Sequence, residues 1–139
     1  MSSVRAGVSC VAIDGRAVLI EGPPACGKSS LALALIDRGA KLIGDDGLTL
    51  EARGNRLWAT PPPNTAGQLE IRNVGLVELE PVEAPLALAI LLREQSPRYL
   101  EQAETVDIEE FDIPVVLLWP ASPVLALRVE WALRQHGLA

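Results

Sequence analysis

The chain reads as a single α/β domain over residues 1–139, rich in strands, with one helix behind a glycine-rich loop and a second near the C-terminal end. Three observations predict this. Short apolar runs recur between clusters of Gly, Pro, Asn and Asp, the pattern of strands and turns. Gly22-Pro-Pro-Ala-Cys-Gly-Lys-Ser29 separates one such run from a helix-forming segment. The last third closes on Ser122-Pro123 followed by a helical stretch that Gly137 can end. With 139 residues, 49% of them apolar, there is material for one core without disulfide or metal staples.

Taken in order, Val8 to Ile13 and Ala17 to Glu21 predict a hairpin turned at Asp14-Gly15, a dipeptide suited to positive φ. Lys28 to Arg38 is dense in good helix formers, with Gly39 as the residue beyond the C-cap. Ala40 to Gly44 returns to strand and delivers Asp45 and Asp46 at its end. Leu48 to Glu51 and Arg56 to Thr60 predict strands around Arg53-Gly54-Asn55. Pro61-Pro62-Pro63-Asn64 is loop, since three prolines give a ladder no donors. Leu69 to Glu80, Leu86 to Arg93 and Ile113 to Trp119 are further strand candidates, helix staying open for the second. Residues 95–105 are polar loop. For the final helix Ser122 is the expected N-cap and Pro123 the first helical residue. Trp58, Trp119 and Trp131 are expected as core anchors.

Composition excludes several classes. The longest apolar stretch, Ala84 to Leu92, is nine residues with a proline inside, far short of the roughly 20 that span a bilayer. The N-terminus does not read as a signal peptide, and Cys10 and Cys26 make no disulfide framework, so cytoplasm is the expected compartment. The net charge of −6 is uneven: +1 over residues 1–77, −8 over 78–112 and +1 over 113–139. A nucleic-acid binder shows a basic face; this chain shows an acidic block, so neither nucleic acid nor membrane is an expected partner.

Gly22 to Ser29 matches G-x-x-x-x-G-K-[ST] in its required context, strand before and helix after. Glycines let consecutive backbone N–H groups curl around phosphate oxygens, and the helix adds its positive N-terminal end. Gly22, Pro23, Pro24, Ala25, Cys26, Gly27, Lys28, Ser29 and Ser30 are therefore the expected nucleotide-binding residues, for ATP with Mg²⁺. Lys28 reaches the β- and γ-phosphates, and the Ser29 hydroxyl is a Mg²⁺ ligand. Cys26 reads first as a small residue that fits a tight loop. Asp45-Asp46 arrives one helix and one strand later, at the strand end where an open α/β sheet binds ligands. A carboxylate there holds a metal or accepts a proton from an attacking hydroxyl; an ordinary Asp-Asp-Gly surface turn is the competing reading. Glu70 and Arg72 alternate with Leu69 and Ile71, so both charges share one strand face, whether functional or merely solvated.

Together these residues resemble the catalytic domain of HPr kinase/phosphorylase. The matching pieces are Gly22 to Ser29, Arg38-Gly39, Leu42-Ile-Gly-Asp-Asp46 and Leu69-Glu-Ile-Arg-Asn-Val-Gly75, with a weaker match over Ile113-Pro-Val115 and Leu125 to Glu130. The likeness is greatest to short members that lack the family's N-terminal domain. It implies a P-loop-containing fold of that type, and an enzyme that moves the γ-phosphate of ATP to a serine of HPr, a small phosphocarrier of sugar transport. It also implies reversal by inorganic phosphate with release of pyrophosphate, and hexamers of the chain. Lys28 would hold the phosphates, Ser29 and Glu70 would ligate Mg²⁺, and the Asp45-Asp46 pair would supply the base, with Asp46 preferred. Arg98 matches an arginine that steadies the transferring group.

The departures are specific. Gly7 or Val8 stands where the family has a histidine, Ser30 replaces an acid, Asn73 replaces a glycine, and Ala121-Ser-Pro-Val124 replaces the Pro-Gly-Arg-Asn loop linked to dephosphorylation. The kinase direction is therefore the one carried over. Two other classes are weighed against it: a nucleotide-binding sensor or scaffold without efficient chemistry, and a small-metabolite kinase. The latter commonly needs an arginine-bearing lid, and residues 76–121 contain only Arg93 and Arg98.

Overall fold

The computed structural model describes residues 2–139. The chain begins with β1 (Ser2–Ala6), β2 (Ser9–Ile13) and β3 (Arg16–Glu21), followed by α1 (Lys28–Asp37). Next come β4 (Lys41–Gly44), β5 (Gly47–Arg53), β6 (Arg56–Thr60), β7 (Gln68–Ile71) and β8 (Gly75–Glu78). Then follow β9 (Ala84–Leu92), β10 (Glu104–Ile108), β11 (Phe111–Leu118) and α2 (Leu125–His136). Nine strands make one sheet, ordered β1-β5-β6-β9-β3-β2-β4, with β11 on β9 and β10 on β11; β7 and β8 pair only with each other.

Strand directions decide where a site can form. β2 is antiparallel to both β3 and β4, while β9 is parallel to β3 and β11 parallel to β9. It follows that β3, β4, β9 and β11 all end at the same edge of the sheet. The loops leaving β3 and β4 therefore meet there, with the start of β2 between them.

Alternation along the strands loads both faces of the sheet. Val18 and Ile20 of β3 and Leu88, Ile90 and Leu92 of β9 pack under Leu31 and Leu35 of α1 and Val129 and Leu133 of α2. Ala17 and Leu19 of β3 point the other way, toward Leu48, Leu50, Leu57 and Ala59 of β5 and β6 and Ile108 and Ile113 of the β10–β11 hairpin. Helices thus cover one face and the sheet's own outer strands close the other. Arg38, at the end of α1, clamps α2 through Nε, which donates to both carboxylate oxygens of Glu130 at 2.9 Å.

The expected hairpin is present: Asp14 and Gly15 both take positive φ between β2 and β3. So is the helix stop. Gly39 has φ 108, its N–H donates to the Ile36 carbonyl, and the Ala40 N–H donates to the Leu35 carbonyl, which satisfies two orphan carbonyls at once. Four readings are corrected. The segment expected as one strand from Leu69 to Glu80 is a hairpin, folded at Arg72-Asn73-Val74. Residues 104–105, expected as loop, begin β10. The last helix starts at Leu125, so Ser122 is not its N-cap; the Ser122 hydroxyl instead accepts from the Val124 N–H at 3.1 Å in the turn before the helix. Trp119 and Trp131 are exposed, the latter under the Arg134 guanidinium at 4.7 Å from the ring centre, so only the half-buried Trp58 is partly an anchor.

Asn73 sits at φ 70, in the left-handed region where asparagine is tolerated far better than other non-glycine residues. This is how the turn survives without the glycine of the family pattern. Asn73→Gly is expected to change stability by less than about 0.5 kcal/mol, whereas Asn73→Val should cost about 1–2 kcal/mol. Amide exchange in β7 and β8 reads the difference; equal exchange in the two variants would contradict the account.

Candidate active site

The loop from Gly22 to Gly27 joins the end of β3 to the start of α1 at the shared edge. Gly27 is the N-cap residue, at φ 103 and with no side chain to cap the helix, so the first N–H groups of α1 are left for a ligand at that end. Lys28 Nζ donates to the Gly22 carbonyl at 2.8 Å and the Pro23 carbonyl at 3.0 Å, which lays the ammonium across the loop. The thiol of Cys26 lies against Gly22, where a Cβ would come within 2.7 Å of Sγ. Cys10 is fully buried, and burial pushes its thiol far above the ordinary range.

The two aspartates do different things. β4 ends at Gly44, whose missing Cβ is required because Gly47 O would stand 2.1 Å from it. The chain then turns sharply. Asp45 points inward, only 7% exposed, and Asp46 takes φ 61 and faces the open cleft. Asp45 Oδ1 accepts from the Ser29 hydroxyl at 2.8 Å and from the Ser9 hydroxyl at 2.9 Å, and Oδ2 lies 3.5 Å from the Glu70 N–H. One carboxylate therefore ties the first turn of α1, the start of β2 and the β7–β8 hairpin together. Ser9, only 1% exposed, is the residue that the sequence concealed, because a serine heading an apolar run looks like an ordinary strand end.

These pieces enclose a cleft of about 680 Å³. Gly22, Pro24, Ala25, Gly27, Lys28, Ser29, Ser30 and Leu33 line it from the loop and α1, and Gly7, Asp46, Glu70, Ile71 and Arg72 line it from the other segments. Of the expected site residues, Arg98 is exposed on the segment between β9 and β10 and does not line the cleft; Arg72 is the arginine that does. Gly7 lines the cleft as well, and a Cβ there would meet nothing within 4 Å. Hard oxygen donors from Ser29 and Glu70 border the same space, which suits Mg²⁺, an ion held through one or two protein oxygens alongside substrate phosphates. Among the described residues no group of three His, Cys, Asp or Glu side chains could by itself hold a metal. No helix of these residues is long and apolar enough to cross a membrane.

A glycine loop between strand and helix, with a lysine, a hydroxyl and an acidic turn closing on it, defines a P-loop type of α/β domain. The comparisons with known proteins narrow the class. The family described as HPr Serine kinase C-terminal domain matches residues 2–82, and the chain belongs to that family. Curated relatives include HPr kinase/phosphorylase of Clostridium botulinum, 38% identical over 69 residues, and that of Streptococcus agalactiae, 35% identical over 94. Those alignments cover 50% and 67% of this chain but only 23% and 30% of the relatives. The chain therefore spans under a third of the curated relatives it matches. Among solved structures, the Hpr(Ser) kinase/phosphatase from Coxiella burnetii superposes with a TM-score of 0.82 at 28% identity, covering 95% of this chain and 88% of that one. The strand-rich α/β fold expected from the sequence is thus the fold of this family.

The arrangement around Asp45 makes a quantitative demand. Removing the Ser9 hydroxyl leaves a buried carboxylate with one donor fewer, and hydrogen bonds to charged groups contribute about 1.5–3 kcal/mol. Ser9→Ala should lower the free energy of denaturant unfolding by that amount. A loss below about 0.5 kcal/mol would mean that Asp45 does not depend on this contact.

Proposed function

We propose that the protein is an ATP-dependent serine kinase acting on an HPr-type phosphocarrier in the cytoplasm. The observation that carries this reading is the division between the aspartates: Asp45 is occupied by Ser9, Ser29 and the Glu70 N–H, which leaves Asp46 facing the cleft that Lys28 also lines. A base must lie within reach of the hydroxyl it deprotonates, and Asp46 is the aspartate of the pair that is free to do so. The names of the relatives support HPr as the acceptor.

In this mechanism the backbone N–H groups of Gly22 to Ser29 and the Lys28 ammonium bind the phosphates and balance their charge. The Ser29 hydroxyl and the Glu70 carboxylate hold Mg²⁺, which when bound screens the phosphate oxygens. Asp46 takes the proton of the carrier's serine as its oxygen bonds to the γ-phosphorus; the bond from that phosphorus to the bridging oxygen breaks, and ADP leaves. Arg72 steadies the moving phosphoryl group from the hairpin side. Arg98 can share that work only from outside the cleft lining. In the reverse direction phosphate attacks the phosphoserine, Asp46 returns the proton to the serine oxygen and pyrophosphate is released. The replaced loop at Ala121 to Val124 puts the forward reaction first, and assembly into hexamers is carried over from the family resemblance alone.

One observation favours a second reading, a nucleotide-binding sensor: of the two residues that stand where the family pattern has a histidine, Val8 is buried in the core and Gly7 leaves open space in the cleft wall. A single assay separates the two. Purified protein with MgATP and an HPr-type carrier should yield phosphoserine on the carrier, and Lys28→Ala and Asp46→Asn should each reduce the rate by at least about a hundredfold. Nucleotide binding without transfer in the wild type would favour the sensor, and full activity in both variants would remove the mechanism.

A further inference from the structure

One cation near the cleft has no part in the account so far. Along β1 the residues alternate, with Ser3 and Arg5 half-buried and Val4 outward. Two residues past Arg5, Gly7 lines the cleft, and its N–H donates to the Asp46 carbonyl at 3.4 Å. The Arg5 side chain reaches Glu21, with Nε 3.1 Å from Oε1. Glu21 is the last residue of β3 and is bonded directly to Gly22, where the phosphate loop begins. The guanidinium is thus tied to the start of that loop from a strand whose end borders the same cleft.

Stability does not account for this pair. The two side chains are 41% and 24% exposed, and ion pairs in contact with water add little to a fold. Glu21 is also badly placed by itself. A carboxylate one residue before a phosphate-binding loop repels the ligand that the loop is built to hold. Within the cleft lining, Lys28 and Arg72 are matched by Asp46 and Glu70, so the lining has no surplus positive charge for a polyphosphate. Arg5 supplies one. Among the described residues no acceptor takes a hydrogen bond from its two terminal nitrogens, and that fork matches two oxygens of one phosphate.

We propose that Arg5 is a phosphate-binding residue, held on Glu21 before the nucleotide arrives and turned to the terminal phosphate of a nucleoside triphosphate when one binds. This deepens the reading of the cleft as a nucleotide site and rests on it. The contact between Nε and Oε1 is given up, the fork donates to two oxygens of the terminal phosphate, and the Glu21 carboxylate returns to water. Glu21 and the terminal phosphate thus compete for one guanidinium. A diphosphate lacks the group that wins this competition, so Arg5 goes back to Glu21 once the phosphoryl group has moved. Lys28 and the loop N–H groups hold both nucleotides, whereas Arg5 tells them apart.

The test is calorimetric titration of MgATP and of MgADP into the wild type, Arg5→Ala, Glu21→Gln and the double variant, with a melting curve for each. Arg5→Ala should bind MgATP about tenfold more weakly, the loss of a hydrogen-bonded charge pair, and bind MgADP as the wild type does. Glu21→Gln frees the arginine and should bind MgATP at least about threefold more tightly, with MgADP unchanged. In the double variant that gain should vanish, because no guanidinium is left to compete for. A pair that merely ties β1 to β3 would shift both single variants in the same direction and treat the two nucleotides alike, which would overturn the proposal. Wild-type MgATP affinity in Arg5→Ala would overturn it too and leave the nucleotide site standing. A wild type that binds neither nucleotide would overturn both.

Discussion

A carboxylate taken out of water loses several kcal/mol of hydration unless donors replace it, and the centre of this domain is organised around one such carboxylate. Asp45 has its donors from three separate parts of the chain: Ser9 at the start of β2, Ser29 in the first turn of α1, and the Glu70 N–H of the hairpin. None of these groups is near another in sequence. Their convergence depends on β2 running antiparallel between β3 and β4, which brings the beginning of one strand to the ends of two others. The same contact fixes the Ser29 hydroxyl, leaves Asp46 turned out at positive φ, and holds the hairpin against the mouth of the cleft.

Covering the two faces of the sheet by different means keeps this edge open. α1 and α2 lie on one face and are joined by the Arg38–Glu130 pair, while β5, β6 and the β10–β11 hairpin close the other. The edge that carries the cleft is thus lined by loops on a well-packed scaffold, where polar groups can remain accessible without cost to the core. The two core faces share β3 and β9, the strands with the greatest number of fully buried side chains on both sides. Arg53 does similar work on the outer surface: Glu83 and Glu51 hold its guanidinium charged, it holds the Glu83 carboxyl below the ordinary range in return, and it lies over Trp58.

Much of this was legible in the sequence wherever local chemistry dictates local structure. The glycine loop, α1, the Asp14-Gly15 turn and the Gly39 stop each depend on neighbours a few residues away, and each is present in the structure. What was hidden depends on distant partners. β1 and β10 carry no clean apolar alternation because they lie on sheet margins, where four of the five β10 residues remain exposed and only Ile108 is buried. The fold at Asn73 was hidden by an apolar rhythm that continues across it. The separate tasks of Asp45 and Asp46 were beyond reach as well, because only the Gly44–Gly47 turn decides which side chain goes inward. Ser9 lacked any signal at all, and Arg72 was visible only as one charge of an alternating pair.

The central claim is that Asp45 sets the phosphate-binding geometry through Ser29 without itself being the base. Calorimetric titration of MgATP into Asp45→Asn, with a melting curve on the same sample, tests it most directly. The account predicts a folded but less stable protein whose nucleotide affinity falls by at least about tenfold, equivalent to about 1.4 kcal/mol. A folded Asp45→Asn that binds MgATP as the wild type does would contradict it.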